Sequence, residues 1–275
     1  MEVWHRMKRS PMAVIGLVLI IVLFVMALFA NVIAPFTYSK QNLMHAFESP
    51  SSKYIFGTDE FGRDIFSRIV YGARISLQVG FIAVGISMFI GGFLGALAGY
   101  YGGKIDNVIM RIMDVLLSIP SILLAIAIAA SLGPGLFNLM IAVGISAIPN
   151  YARIVRGSVL SIRGQEFVEA AKAVGSSDLR IIFKHIIPNC TAPIIVQATL
   201  GVATAILTAA GLSFIGLGIQ PPIPEWGAML SSGRSYIRDY PYMTLFPGLA
   251  IMITILALNF VGDGLRDALD PKLKR

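Results

Sequence analysis

Few side chains in this 275-residue chain are spaced to do chemistry, and those few mark what it does not do. The stretch nearest to a phosphate-binding loop is Gly99-Tyr100-Tyr101-Gly102-Gly103-Lys104-Ile105. Ala98 stands where that loop needs its first glycine, and Ile105 stands where it needs a Ser or Thr for the metal, so the pattern fails. Gly133-Pro134-Gly135 and Gly216-Leu217-Gly218 do not continue as dinucleotide fingerprints. His5, His45 and His185 lie in different segments, which argues against a metal cluster. The single cysteine, Cys190, has no intrachain disulfide partner and reads as a small buried hydrophobe. The chain is therefore expected to be no enzyme, to hydrolyse no ATP and to bind no cofactor or metal of its own.

Two sets of polar residues inside apolar stretches carry the remaining chemistry. Arg111 and Asp114, three apart, are expected to form an ion pair that fixes a helix end, because unpaired charges in a membrane are costly. A proton relay is the sharper alternative, but no further carboxylates continue across the bilayer. Gln197, Thr199, Thr204 and Thr208 give a sparse polar lining, suited to passing polar solutes without holding them tightly.

The elements that must position these groups are membrane spans. The chain is 56% hydrophobic and 13% charged, whereas soluble domains carry about 25% charged residues. Its mean hydropathy is +0.77. Apolar stretches long enough to cross roughly 30 Å of hydrocarbon recur. Six spans are predicted, at about Met12 to Ala34, Ser76 to Tyr100, Asn107 to Ser131, Leu136 to Val155, Ala192 to Leu217 and Thr244 to Val261. Ser10 and Pro11 suit the start of the first, which is too long for a signal peptide and reads as an uncleaved anchor. Pro120, Pro149, Pro193 and Pro247 are expected to kink their helices. Gly91, Gly95, Gly99 and Gly103, like Gly201, Ala205 and Ala209, repeat every four residues and predict close helix packing within the chain.

The net charge of +7 is spread over the loops, which points away from nucleic acid. With the N-terminus inside, 15 of the 22 basic residues fall on the inner side, so both termini are expected in the cytoplasm. The expected organisation is an N-terminal tail and first span over 1–35 and an extracytoplasmic segment over 36–74. A transmembrane core over 75–264 and a cytoplasmic tail over 265–275 complete it. The segment Ile219 to Pro241 would also lie outside. There Glu225-Trp226-Gly227 places a tryptophan that favours the membrane interface. In the first outer segment, Gly57 and Gly62 suit tight turns, and Asp64 and Arg68 form an i,i+4 pair on a helix start that braces the segment.

One polar, charge-dense stretch, about 157–190, is wedged between apolar runs. Ser161 to Val174 predicts a helix with an apolar stripe of Phe167, Ala170, Ala171 and Val174 beside Arg163, Glu166, Glu169 and Lys172. Gly175 is a natural C-terminal cap and sharp reversal. Ser176 or Ser177 then caps a second short helix, Asp178 to His185, before Pro188 marks re-entry to the membrane. Such a helix–Gly–helix knob, fixed to two spans, can dock a cytoplasmic partner and transmit a push.

Glu169-Ala170-Ala171, three residues, Gly175, and later Pro188 resemble the Glu-Ala-Ala…Gly loop of membrane subunits of binding-protein-dependent ABC importers. His185 and Ile187 depart from the general pattern, and the histidine form is similar to the dipeptide/oligopeptide/nickel branch. Three other stretches are similar to the second membrane subunit of that branch: Gly57 to Leu77, Gly216 to Gly227, and Asn259 through Asp270-Pro271. The resemblance implies an all-α, six-span permease subunit with a five-helix core plus one N-terminal helix. It implies that Glu169 faces an ATPase and Gly175 forms the turn. The implied partners are a homologous second permease subunit, two cytoplasmic ATPase subunits that use ATP and Mg, and an extracytoplasmic binding protein. The implied activity is ATP-driven import of di- or oligopeptides through the cytoplasmic (inner) membrane. A nickel or metal-chelate importer of the same architecture is the alternative, and an ion-coupled secondary transporter a remoter one.

Overall fold

The structure is a computed structural model, and it describes residues 2–269. Every regular element in that range is helical. In chain order they are α1 (Glu2–Met7), α2 (Pro11–Leu28), α3 (Ala30–Ile33), α4 (Ile65–Tyr101), α5 (Gly103–Leu117) and α6 (Ser121–Leu132). Then follow α7 (Leu136–Ile162), α8 (Glu166–Ala173), α9 (Asp178–Arg180), α10 (Thr191–Phe214), α11 (Trp226–Gly233) and α12 (Tyr242–Leu269). Among the described residues five helices are long and apolar enough to cross a membrane, and the bent pair α5–α6 brings the number to six if it is one span.

Two spans differ from their expected form. The second begins at Ile65, where the Asp64 side chain caps the helix by accepting from the Ser67 amide at 2.8 Å. At 37 residues α4 is about 55 Å long and stands well beyond the hydrocarbon. The third is broken, with α5 and α6 meeting at 86° around Ser118-Ile119-Pro120. Proline removes a backbone donor and restricts the residue before it, so the helix stops there. Pro149 and Pro247 sit inside α7 and α12, which continue past them. The cap on α2 is as expected, with the Ser10 oxygen accepting from the Ala13 amide and Pro11 at the first position.

The glycine repeat of α4 explains how the core closes. Side chains added at Gly91, Gly95 and Gly99 would run into the α7 residues Ile148, Ala152 and Val159. The two backbones therefore approach along three successive turns, flanked by two buried clusters, with Met113, Ile148 and Ala152 in one and Ala96, Val155 and Val159 in the other. Apolar residues of α4, α7, α10 and α12 share a larger cluster further along the bundle. Gly103 is not part of that seam, and it opens α5 instead. Gly16 of α2 packs on Ala257 of α12, and Gly264 packs on Ala13, so the two described chain ends lie together.

At the opposite end from the two described chain ends, residues 36–64 and 219–241, the segments expected outside, pack together over the ends of the spans. Arg68 does not pair with Asp64; it reaches Asp59 at 3.6 Å and donates to the Tyr38 and Pro222 carbonyls at 3.0 and 3.2 Å. That guanidinium joins both outer segments to α4, which is the bracing expected of it by another route. Trp226 is not at a lipid interface either. Its indole is 0% exposed, and Nε1 donates to the Ile69 carbonyl at 3.1 Å, packed over Gly72.

Candidate functional site

The knob is built as the glycine predicts. α8 ends at Ala173, the Val174 amide donates to the Ala170 carbonyl, and the Ser176 amide reaches back to Ala171 at 3.1 Å. Gly175 supplies φ +78 between them, in the left-handed region that glycine enters without steric cost. The chain then passes through α9, a π-helical turn over Ile181–Ile186 and a 3-10 turn over Ile187–Cys190 into α10. The second helix of the knob is therefore continuous with the fifth span, so a push on it acts directly on α10.

The face that the knob buries differs from the expected stripe. Val168 and Ala171 point inward with Ile181, Ile182, Ile186 and Cys190. Phe167 and Ala170 are exposed, and Val174 is 81% exposed. Leu179 and Phe183 add to this outward apolar surface, beside the exposed carboxylates of Glu166 and Glu169. The stripe of Phe167, Ala170 and Val174 is therefore present but faces outward, because the neighbouring Val168–Ala171 edge of α8 is the one packed against the π-helical turn. Arg163 does not belong to the outward face, because its Nη1 donates to the Gly99 carbonyl at 3.0 Å and ties the knob to the end of α4. Tyr100 adds a second tie, donating to Asp178 at 2.8 Å with Lys172 over its ring. His185 lies in the π-turn and Pro188 in the 3-10 turn that follows.

The expected Arg111–Asp114 pair is not formed. Asp114 is bound instead by Arg153 of α7 at 2.8 Å, and Asp106 by Arg156. Residues three apart on one helix share a face, but a carboxylate there can be taken by a neighbouring helix, and here α7 takes both. No group of three or more His, Cys, Asp or Glu able to hold a metal occurs among the described residues.

The candidate lining on α10 is partly brought together. Gln197, Thr204 and Thr208 border a cavity of about 100 Å³ between α4, α6, α7 and α10. Gln197 also borders a wider one of about 600 Å³ at the knob end, with Ser158, Ser161, Asn189 and Arg266. Thr199 borders neither, and its hydroxyl donates to Ile195 of its own helix. Asn150 and Tyr151 were missed from sequence, although a polar pair directly after Pro149 in an apolar span was a signal.

In the outer layer, burial governs the carboxyls. Glu225 caps α11 by accepting from the Gly227 and Ala228 amides, both at 2.9 Å, and burial pushes its carboxyl above the ordinary glutamate value. Burial, with the Asp59 carboxylate second, also pushes Glu60 up.

An all-helical membrane bundle with a knob of this form defines a transporter's permease component, not an enzyme. Residues 91–275 match the family described as "Binding-protein-dependent transport system inner membrane component", and residues 1–50 match "N-terminal TM domain of oligopeptide transport permease C". The chain belongs to the first of these families: it is a multi-pass inner-membrane permease subunit of an ABC importer, and such a system works with an ATPase and a binding protein. The chain is 54% identical over 273 residues to the dipeptide transport system permease DppC of Alkalihalophilus pseudofirmus, covering 99% of this chain and 90% of that one. It is 46% identical to the di/tripeptide permease DppC of Pseudomonas aeruginosa, covering 99% and 92%. It is 50% identical to the glutathione permease GsiD of Escherichia coli O157:H7, covering 99% and 90%. The fold is shared with the MetNI methionine ABC transporter in inward-facing form, at TM-score 0.60 and 21% identity over 74% of this chain and 97% of that one.

Proposed function

We propose that this chain forms half of the translocation pathway for di- and tripeptide-sized substrates in an ATP-driven importer. The observation that carries the substrate class is likeness over 99% of the chain to permeases named for dipeptides, di/tripeptides and glutathione, itself a tripeptide. The uncharged, hydrogen-bonding lining of the smaller cavity suits peptide groups and supports this reading over a metal ion, which would want His, Cys or carboxylate ligands.

The knob end, about 157–190, is taken to be cytoplasmic, with both termini on that side, because the basic residues concentrate there. Glu166, Glu169, Ala170, Gly175, His185 and Pro188 then belong to the surface and turn that meet an ATPase, while Ala171 and Arg163 hold the knob to the bundle. The second half of the pathway would come from a homologous permease subunit, and two ATPase subunits would consume ATP and Mg below. ATP-driven closure of the ATPases moves the knob, and with it α10, exchanging inward- and outward-facing states through a differential interaction at the knob.

Uptake by proteoliposomes holding the whole complex and its binding protein tests the substrate class. Labelled dipeptide and tripeptide are expected to accumulate with ATP, and nickel is not. Nickel accumulation without peptide would overturn the peptide reading and leave the architecture standing.

A further inference from the structure

Two cavities lie along the seam between α7 and α10, with one residue bordering both. The narrower holds about 100 Å³, and the wider, open at the knob end, about 600 Å³. Gln197 borders both. Tyr151 stands beside it, 3% exposed, with its hydroxyl donating to the Gln197 backbone carbonyl at 3.3 Å. The phenol lies where a Cβ on residue 201 would be, so only Gly201 admits it. The side-chain amides of Gln197 and Asn150 have no hydrogen-bond partner among the described residues, and both border the narrower cavity.

We propose that Tyr151, seated on Gly201, is the constriction in this subunit's half of the pathway, and that the Gln197 amide beside it is a specificity-determining contact for the passing peptide. This deepens the transport reading above and rests on it. At about 100 Å³ the narrower cavity falls well below the roughly 300–1,000 Å³ of small-molecule sites, so a dipeptide does not fit it in this arrangement. The wider cavity lies within the range of small-molecule sites, about 300–1,000 Å³. A peptide bond presents one donor and one acceptor, and a primary amide matches both. No charged side chain borders the narrower cavity, so the passing substrate meets neutral hydrogen bonds that release it readily. Because Tyr151 is on α7 and Gln197 and Gly201 are on α10, separating the two helices withdraws the phenol from Gly201 and widens the gap.

The test uses the complete complex in proteoliposomes, at saturating loaded binding protein. Gln197→Leu keeps the bulk and removes the amide, and it is expected to lower peptides imported per ATP about tenfold. Gln197→Asn restores at least half of the wild-type ratio. Gly201→Ala, which displaces the phenol, is expected to lower the ratio comparably; if that variant fails to assemble, the Gln197 series decides. In a second arm, Gln197→Cys on a Cys190→Ala background is labelled by a membrane-impermeant maleimide added at the knob side. Labelling is expected to change at least fivefold between the nucleotide-free and ATP-trapped complexes, and a Thr199→Cys control to change less than twofold. Wild-type coupling in Gln197→Leu, or equal labelling of residue 197 in both states, overturns the proposal. The labelling arm needs no assumption about cargo, so a gate that works with a non-peptide cargo is told apart from a gate that is absent.

Discussion

Arg156 of α7 holds Asp106 of α5 through two hydrogen bonds, Nε to Oδ1 at 2.5 Å and Nη2 to Oδ2 at 2.6 Å. This fork fixes the first half of the broken span against α7. Asp106→Asn is expected to destabilise the assembled subunit by about 1–2 kcal/mol, since the pair is partly screened by solvent and removing one partner of a fully buried pair would cost more. The charge swap Asp106→Arg with Arg156→Asp is expected to recover part of the loss. Thermal unfolding of the purified complex checks both, and additive effects of the two single changes would show that the pair is not coupled.

Trp226 is expected to be a stability residue, not a membrane anchor. Trp226→Phe removes the hydrogen bond to Ile69 and costs about 1 kcal/mol, and Trp226→Ala leaves a core void and costs about 3–5 kcal/mol. Denaturant or thermal midpoints measure the ordering. An alanine variant as stable as wild type would contradict the packing described.

Glu60 gives the outer layer a pH dependence. Its carboxyl binds a proton more tightly folded than unfolded, because burial and the Asp59 carboxylate disfavour its charge. Its contribution to stability is therefore greatest at low pH and is lost as pH rises from the ordinary glutamate value, about 4.3, through the raised one. Glu60→Gln is expected to be at least as stable as wild type at pH 7.5 and to flatten the slope of stability between pH 4.5 and 7.5. Melting curves across that range check it, and an unchanged slope would exclude Glu60 as the source.

The outward face of the knob is a separate expectation. Val174→Asp and Phe183→Asp place charge on exposed apolar positions and leave the buried Val168–Ala171 face alone. Each is expected to reduce co-purification of the ATPase at least fivefold while the permease still inserts. Val168→Asp, by contrast, is expected to lower the amount of folded subunit. Equal losses from inward and outward changes would argue against a docking surface on the outward side.

The spans, the knob and its glycine turn were legible in the sequence because hydrophobic length, a Gly cap and the small-residue repeat act locally. What was not legible depended on tertiary partners. Asp114 was expected on Arg111 because the two share a helix face, yet the competing guanidinium of Arg153 comes from a helix some 40 positions later. Trp226 was read from its average preference for interfaces, and the pocket over Gly72 decided otherwise. The apolar stripe on α8 faces outward because Val168 and Ala171 find partners in the π-helical turn that follows, and Thr199 lies on the side of α10 away from both cavities. The place of Tyr151 beside the cavity depends on Gly201, some 50 positions later, which alone leaves room for its hydroxyl.

If the knob couples the ATPase to transport, Gly175→Asp should break that coupling. The substitution forces a side chain onto φ +78 at the turn while leaving every span untouched. Uptake and ATP hydrolysis are measured together in the reconstituted complex. Insertion is expected to be normal, with peptide import per ATP reduced at least tenfold. Wild-type coupling in that variant would show that the turn does not carry the push.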